Sequence, residues 1–230
     1  MTTIGILGAG QAGSTLARTA IAAGYDVVIA NSRAPSTLAD LVRSLGPGAR
    51  ASWAADAAAA ADFAFLALPY APDHTLPGEE LAGKVVLDNN NYMVWRDGHF
   101  PAVDSGEKTV HELRQEQLPA VKLAKAFSHV QFHGRPQLRV PSDALPALVR
   151  LARPAGARDR TALVVSSDYP DAVELVTRFY DHLGFDTVDN SPLRESWRSA
   201  PGTPMWLPSF DGQTREELSH NLRRAERPRV

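Results

Sequence analysis

Gly8, Gly10 and Gly13 are spaced G-x-G-x-x-G, directly after the apolar run Ile4-Gly5-Ile6-Leu7 and directly before a helical pattern. Glycine at this spacing meets three steric demands. Gly8 permits a tight turn out of a strand. Gly10 lets the backbone approach a pyrophosphate, where a Cβ would collide. Gly13 lets the following helix pack closely on the strand. Gln11 and Ala12 open that helix, and its unpaired N–H groups and positive dipole end attract phosphate. The strand–turn–helix context separates this loop from an ordinary glycine-rich turn.

Asn31-Ser32-Arg33 follows the second strand-like run. A site for NAD places Asp or Glu there, about 20 residues beyond the glycines, to hold the ribose 2′-hydroxyl. This chain has no acid at that point. Asn31 is neutral, Ser32 is a small donor, and Arg33 is a permanent cation whose planar fork suits phosphate. The set predicts a 2′-phosphate, hence NADP(H). The plainer alternative makes Arg33 a solvated residue after a strand. A methyltransferase also uses a glycine-rich turn but would want an acid here.

Ligands of an open parallel sheet bind beyond the carboxyl ends of its strands. Leu68 and Pro69 end one apolar run and are expected to line the dinucleotide. Asn89 begins the run Asn89-Asn90-Asn91-Tyr92 past another, and Ser128-His129 stands past a third. The asparagines either bond ribose or form a turn. His129 and Tyr92 are the candidates for proton transfer, although a lone histidine also serves as a packed core residue. His129 and His133 are four residues apart with no acid or third ligand beside them, so no metal site is expected.

These residues need elements to position them. Helical spacing runs over 11–23, closed by Gly24, and a second helix opens at Pro35-Ser36 and stops at Gly46. An alanine-rich helix is expected over 53–62. Apolar runs at 63–68, 84–88 and 121–127 have the composition of buried parallel strands. A helix over 108–118 separates the last two. The stretch 93–105, with Trp95, Arg96, His99 and Phe100, gives few structural signals and is expected as a long loop that would welcome a flat ring. A smaller strand–helix–strand pattern follows at 161–166, 171–183 and 185–189. Thr214-Arg215-Glu216-Glu217 has the spacing of a capping box. Alternation of strand and helix predicts an α/β fold: a Rossmann-type doubly wound parallel sheet with a small C-terminal α/β extension. The division expected is 1–155 for the dinucleotide and 156–230 for the extension and tail.

Bulk properties narrow the function further. Of 230 residues 44% are apolar, which suits a globular chain. The net charge of −2 gives no basic field for nucleic acid. The absence of cysteine excludes disulfides and thiolate chemistry. No apolar run reaches the ~18 residues of a membrane span. The N-terminus enters a strand with no basic leader, which predicts a cytoplasmic protein.

Several of these residues together resemble the NADPH-dependent F420 reductase family, the F420H2:NADP oxidoreductase-like proteins. The likeness rests on the glycine loop, on Asn31-Ser32-Arg33, and on Ala126-Phe127-Ser128-His129-Val130. It extends to Leu163-Val164-Val165-Ser166-Ser167-Asp168 and to Ser191-Pro192-Leu193-Arg194. It departs at Ser128-His129, in the aromatic stretch 89–105 and in the proline-rich stretch 197–208. The resemblance implies a homodimeric oxidoreductase that passes hydride between NADP(H) and a planar small-molecule acceptor such as coenzyme F420. The broader family includes reductases of imines and unsaturated compounds. A non-catalytic NADPH sensor would keep the same glycines and Arg33. No Tyr-x-x-x-Lys pair supports a short-chain dehydrogenase, and no long helical C-terminal domain supports a 3-hydroxy-acid dehydrogenase.

Overall fold

In a computed structural model of the chain, residues 1–132 and 146–227 are described. Five-residue strands start the fold: β1 (Thr3–Leu7) and β2 (Asp26–Ala30), joined by α1 (Gln11–Ala22). A 3-10 turn at Pro35–Leu38 leads into α2 (Ala39–Leu45), then β3 (Ala49–Ala51), α3 (Ala54–Ala60) and β4 (Phe63–Leu66). Next come α4 (Gly78–Leu81), β5 (Val85–Asp88), α5 (Val94–Asp97), α6 (Pro101–Asp104), α7 (Val110–Gln117) and β6 (Lys122–Lys125). The remainder holds α8 (Ala147–Arg150), β7 (Ala162–Ser167), α9 (Pro170–His182), β8 (Asp186–Asp189), a 3-10 segment Leu193–Ser199 and α10 (Arg215–Arg223).

The eight strands form one sheet in the order β3-β2-β1-β4-β5-β6-β7-β8. Pairing is parallel from β3 through β6, antiparallel between β6 and β7, and parallel again between β7 and β8. The fold is therefore α/β and Rossmann-type, as expected. The strand order reverses between β1 and β4, and the carboxyl ends of those strands open a crevice there. The sheet continues past residue 155 through β7 and β8, with Ala124 opposite Ser167.

Both faces are covered. Leu16, Ala17 and Ala20 of α1 and Val176, Phe179 and Tyr180 of α9 pack on one face with Ile4, Ile6, Phe65 and Ala124. Ala57, Ala58, Leu81 and Leu118 pack on the other with Val28, Ala64, Val86 and Leu123. The alanine content of α3 has a steric cause. A Cβ on Gly5 would lie 2.7 Å from the Ala57 carbonyl oxygen, so helix and strand are too close for larger side chains. Lys84 then closes α3 by donating to the carbonyls of Ala58 and Ala59 at 2.7 and 3.0 Å.

Two expectations need correction. The stretch 93–105 is not a long loop: it contains α5 and α6. Asp97 accepts from the Met93 N–H at 2.9 Å, and the Tyr92 hydroxyl accepts from the Phe100 N–H at 3.2 Å. Phe100 stacks on Tyr92 with ring centroids 5.4 Å apart, whereas Trp95 is 83% exposed. The strand over 121–127 stops at Lys125, because Phe127 adopts a left-handed φ of 57°. The hydroxyl of buried Tyr180 accepts from the Phe127 N–H at 2.8 Å and donates to the Val164 carbonyl at 2.9 Å. This bridge fixes the bend where β6 leaves the sheet.

The glycine loop divides by cause. A Cβ on Gly13 would meet the Gly8 carbonyl oxygen at 1.9 Å, and one on Gly8, at φ +113°, would meet that of Ala67 at 2.4 Å. A Cβ on Gly10 meets nothing within 4 Å. Gly13→Ala is therefore expected to cost about 3 kcal/mol or more by overpacking against backbone. Gly10→Ala, at the helix cap, is expected to cost less than about 1 kcal/mol. Urea unfolding of the two variants measures the contrast, and equal losses would disprove it.

Candidate functional site

A trough runs along the carboxyl edge of the sheet, in two halves that meet at Leu68. The outer half is lined by Gly8, Ala9, Asn31, Ser32, Ala54, Leu68, His74 and Pro77 and encloses ≈ 520 Å³. The inner half is lined by Gln11, Ala12, Leu68, Pro69, Asn89, Asn90, Asn91, Arg96, Phe127, Ser128, Gln131 and Trp206 and encloses ≈ 310 Å³. The expected residues Gly8, Gln11, Ala12, Asn31, Ser32, Leu68, Pro69, Asn89 and Ser128 thus come together along one trough.

At the outer end, Asn31 organises the turn. Its Oδ1 accepts from the Arg33 N–H at 2.8 Å, and its Nδ2 donates to Thr37 Oγ1 at 3.0 Å. Arg33 is exposed, and its guanidinium has no hydrogen bond or ion pair among the described residues. No carboxylate stands in the Asn31-Ser32-Arg33 turn to neutralise it.

At the inner end the walls are held from behind. Arg114 is fully buried; its Nε donates to Asp88 at 3.2 Å, its Nη1 to Gln117 at 2.8 Å and its Nη2 to the Pro69 carbonyl at 3.1 Å. Burial raises the Asp88 carboxyl, and Arg114 opposes that shift. Asp88 also accepts from the Asn90 N–H at 2.9 Å. Asn91 Nδ2 donates to the Ser128 carbonyl at 2.5 Å, and Arg96 donates to the Asn91 carbonyl at 2.6 Å. The capacity left over is distinctive. Asn90 Nδ2, Asn91 Oδ1, Ser128 Oγ and Gln131 Oε1 are buried polar atoms without a partner. All four belong to residues lining the inner half. Buried polar atoms are nearly always paired, so this cluster has the character of a binding surface.

The two candidates for proton transfer lie elsewhere. His129 is 3% exposed and does not line the trough. Its Nε2 accepts from the Val164 N–H at 2.9 Å, and its Nδ1 lies 3.1 Å from Ser209 Oγ. Burial, reinforced by Lys125, lowers its pKa to about 3. Both nitrogens are committed and the ring is neutral at pH 7, so in this arrangement His129 ties β7 to the tail. Tyr92 lines a different cavity, and its hydroxyl lies 2.5 Å from Asp104 Oδ1 and 3.1 Å from the Gly98 carbonyl. Burial and the Asp104 carboxylate raise its pKa. His133 lies outside the described residues.

Gln131 and Trp206 are trough residues that the sequence did not single out. Gln131 sits in the run after β6, where its position past a strand end was the available signal. Trp206 comes from the far end of the chain, within the proline-rich stretch 197–208 at which the sequence departs from the resemblance.

Residues 3–92, which carry β1 through Tyr92, match the family described as NADP oxidoreductase coenzyme F420-dependent. The match covers the part of the chain that forms the glycine turn and β1 through β5. The protein YjhV of Escherichia coli K12 is 37% identical over 70 residues, 30% of this chain and 51% of YjhV. The chain thus spans about half the length of that curated relative. The hypothetical protein SMa0349 of Sinorhizobium meliloti is 30% identical, with TM-score 0.62, over 85% of this chain and 88% of that one. An imine reductase of Myxococcus stipitatus, solved with NADP+, is 17% identical with TM-score 0.52, over 84% of this chain and 56% of that one. That last likeness is one of fold. Among the described residues, no helix is long and apolar enough to cross a membrane.

Two buried histidines link the stability of the protein to pH. His129 and His111 are both held well below the ordinary histidine value of 6.5 by burial. Below that value the unfolded chain takes up protons that the folded chain refuses, so acid favours unfolding. Stability is expected to fall from pH 7 to pH 5 by up to about 1.4 kcal/mol per pH unit per histidine. Urea unfolding at the two values measures the fall, and pH-independent stability would show that both imidazoles take up protons in the fold as readily as in the unfolded chain.

Proposed function

We propose that the protein is an NADP-dependent oxidoreductase that transfers hydride between NADP(H) and a planar acceptor of the deazaflavin type, with coenzyme F420 the leading candidate. The observation that carries the reading is the trough that runs from the Asn31-Ser32 turn, next to exposed Arg33, to a cluster of unpartnered amide and hydroxyl groups. Residues 1–155 would bind the dinucleotide, and residues 156–230 would complete the second substrate's wall.

The residues fit NADP(H). Gly10 has open space where its Cβ would stand, so the protein's own packing does not demand glycine there, whereas a pyrophosphate close to the backbone would. Gly8 and Gly13 shape the turn, and the N–H groups at Gln11 and Ala12 would receive the phosphates. Ser32 and Arg33 would hold the 2′-phosphate through charge-assisted bonds, with Asn31 fixing their turn. Leu68, Pro69, Asn89 and Ser128 would line the inner half. A carboxamide offers one acceptor and two donors. Asn90 Nδ2 could supply the donor for it, and the oxygens of Asn91 and Gln131 the acceptors, with Ser128 Oγ able to serve either way. When bound, the nicotinamide supplies the hydride chemistry, and the protein supplies orientation and a dry site.

The engagement of His129 and Tyr92 favours an acceptor that needs no proton from either. A deazaflavin stacked on the nicotinamide meets that condition. An imine or carbonyl acceptor would need a proton donor that neither residue offers in this arrangement.

Arg33→Ala is expected to weaken NADPH binding by about 1.5–3 kcal/mol while changing NADH binding far less. Titration calorimetry with both dinucleotides tests this, and equal affinity of the parent chain for the two would remove Arg33 from the site. Turnover is read from NADPH oxidation with F420 and, separately, with cyclic imines and enones. Activity with F420 alone supports the proposal. Activity only with the other acceptors, or tight NADPH binding without turnover, overturns the acceptor assignment.

A further inference from the structure

A second cavity of ≈ 160 Å³ lies behind the trough. Asn91 lines both. Side chains alternate along β6, so Lys125 shares the face of Leu123 and points away from α1. The cavity is walled there by His111 of α7, by Lys125 at the end of β6, and by Ser196 and Trp197 of the 3-10 segment.

Three of these groups are buried and under-used. Lys125 is 2% exposed, and its ammonium donates to the Ser196 carbonyl at 2.8 Å. It has no carboxylate partner among the described residues, for Asp88, its neighbour across the sheet, is held by Arg114. Burial lowers the Lys125 pKa to about 7. His111 is 1% exposed, and its Nε2 has no partner. The ring also makes a hydrogen bond to the Asn90 backbone, which leaves Nε2 of the neutral ring as an acceptor. Ser196 is fully buried, and its Oγ has no partner. A buried ammonium whose one nearby carboxylate, Asp88, is ion-paired to Arg114, and two unpaired polar atoms, are costly to keep. None of the three lines the dinucleotide trough.

We propose that this cavity binds a small organic carboxylate that also carries an O–H or N–H group and a short apolar body. The carboxylate would pair with Lys125 and accept from the Ser196 hydroxyl. The ligand's own donor would meet His111 Nε2. Its apolar body would lie against Val103, Val110 and Trp197. The ligand completes the unpaired His111 and Ser196 atoms and gives Lys125 an anion, which a hydrocarbon or a simple cation would not. Because Asn91 forms part of both walls, occupancy here would bear on the inner half of the trough.

Calorimetric titration of the full chain, without dinucleotide, with lactate and with 2-hydroxyisovalerate tests the proposal. Saturable one-to-one binding is expected, tighter for the acid with the larger apolar body and absent for lactamide. Lys125→Met is expected to weaken binding about tenfold or more, the range of a charged hydrogen bond. Ser196→Ala, which removes one hydroxyl, is expected to weaken it several-fold and keeps the test open should Lys125→Met fail to fold. The Arg33→Ala chain is expected to bind the acids like the parent, so failure of the dinucleotide reading leaves this one standing. Binding that is absent for both acids, equal for lactamide, or unchanged in Ser196→Ala overturns it.

Discussion

The buried guanidinium of Arg114 holds the carboxyl edge of the sheet together. It joins α7 to Asp88 at the end of β5 and to the Pro69 carbonyl beyond β4. Removing one partner of such a buried pair leaves an uncompensated charge, commonly at a cost of about 3–5 kcal/mol. The geometry gives that pair a consequence beyond stability. Asp88 also holds the Asn90 N–H, so the wall of the inner trough inherits its position from a side chain on the far side of the sheet. Arg96 fixes the same segment from the solvent side through the Asn91 carbonyl. The residues that would touch a ligand are thus set by Arg114, which would not touch it, and by Arg96, which lines the trough beside them.

Close approach governs the other end. Gly8 and Gly13 are required by protein backbone, and Gly10 is not. One sequence motif therefore contains two kinds of constraint, one imposed by the fold and one left for a ligand. Gly5 and the alanines of α3 extend the first kind along β1, bringing helix and strand together beneath the turn. The bend at Phe127, held by Tyr180, is the counterpart at β6. It ends the strand early and turns Phe127 and Ser128 into the wall of the trough.

The two cavities differ in chemistry because the sheet separates them. The trough offers glycine backbone and neutral amides, with exposed Arg33 in the turn next to its outer end. The cavity behind it offers a buried ammonium and an unpaired imidazole. Asn91 is the shared partition. The neutrality of His129 and His111 follows from the same burial, with Lys125 adding to it from between them.

The sequence by itself determined whatever depends on neighbours along the chain. The glycine turn, the basic Asn31-Ser32-Arg33 turn, the apolar strands and the capping box at Thr214 are local, since each is dictated by backbone sterics or by spacing within one element. The tertiary structure alone decided what each polar side chain faces. His129 stood at the right distance past a strand to look reactive, but its partners are Val164 and Ser209, the latter 80 residues away. Tyr92 is occupied by Asp104 and Gly98, which it meets only because 93–105 folds into two short turns. Lys125 reads as one more residue of a strand until Ser196 covers it. Burial and pairing across long sequence separations set protonation and hydrogen-bonding capacity, and no local pattern encodes them.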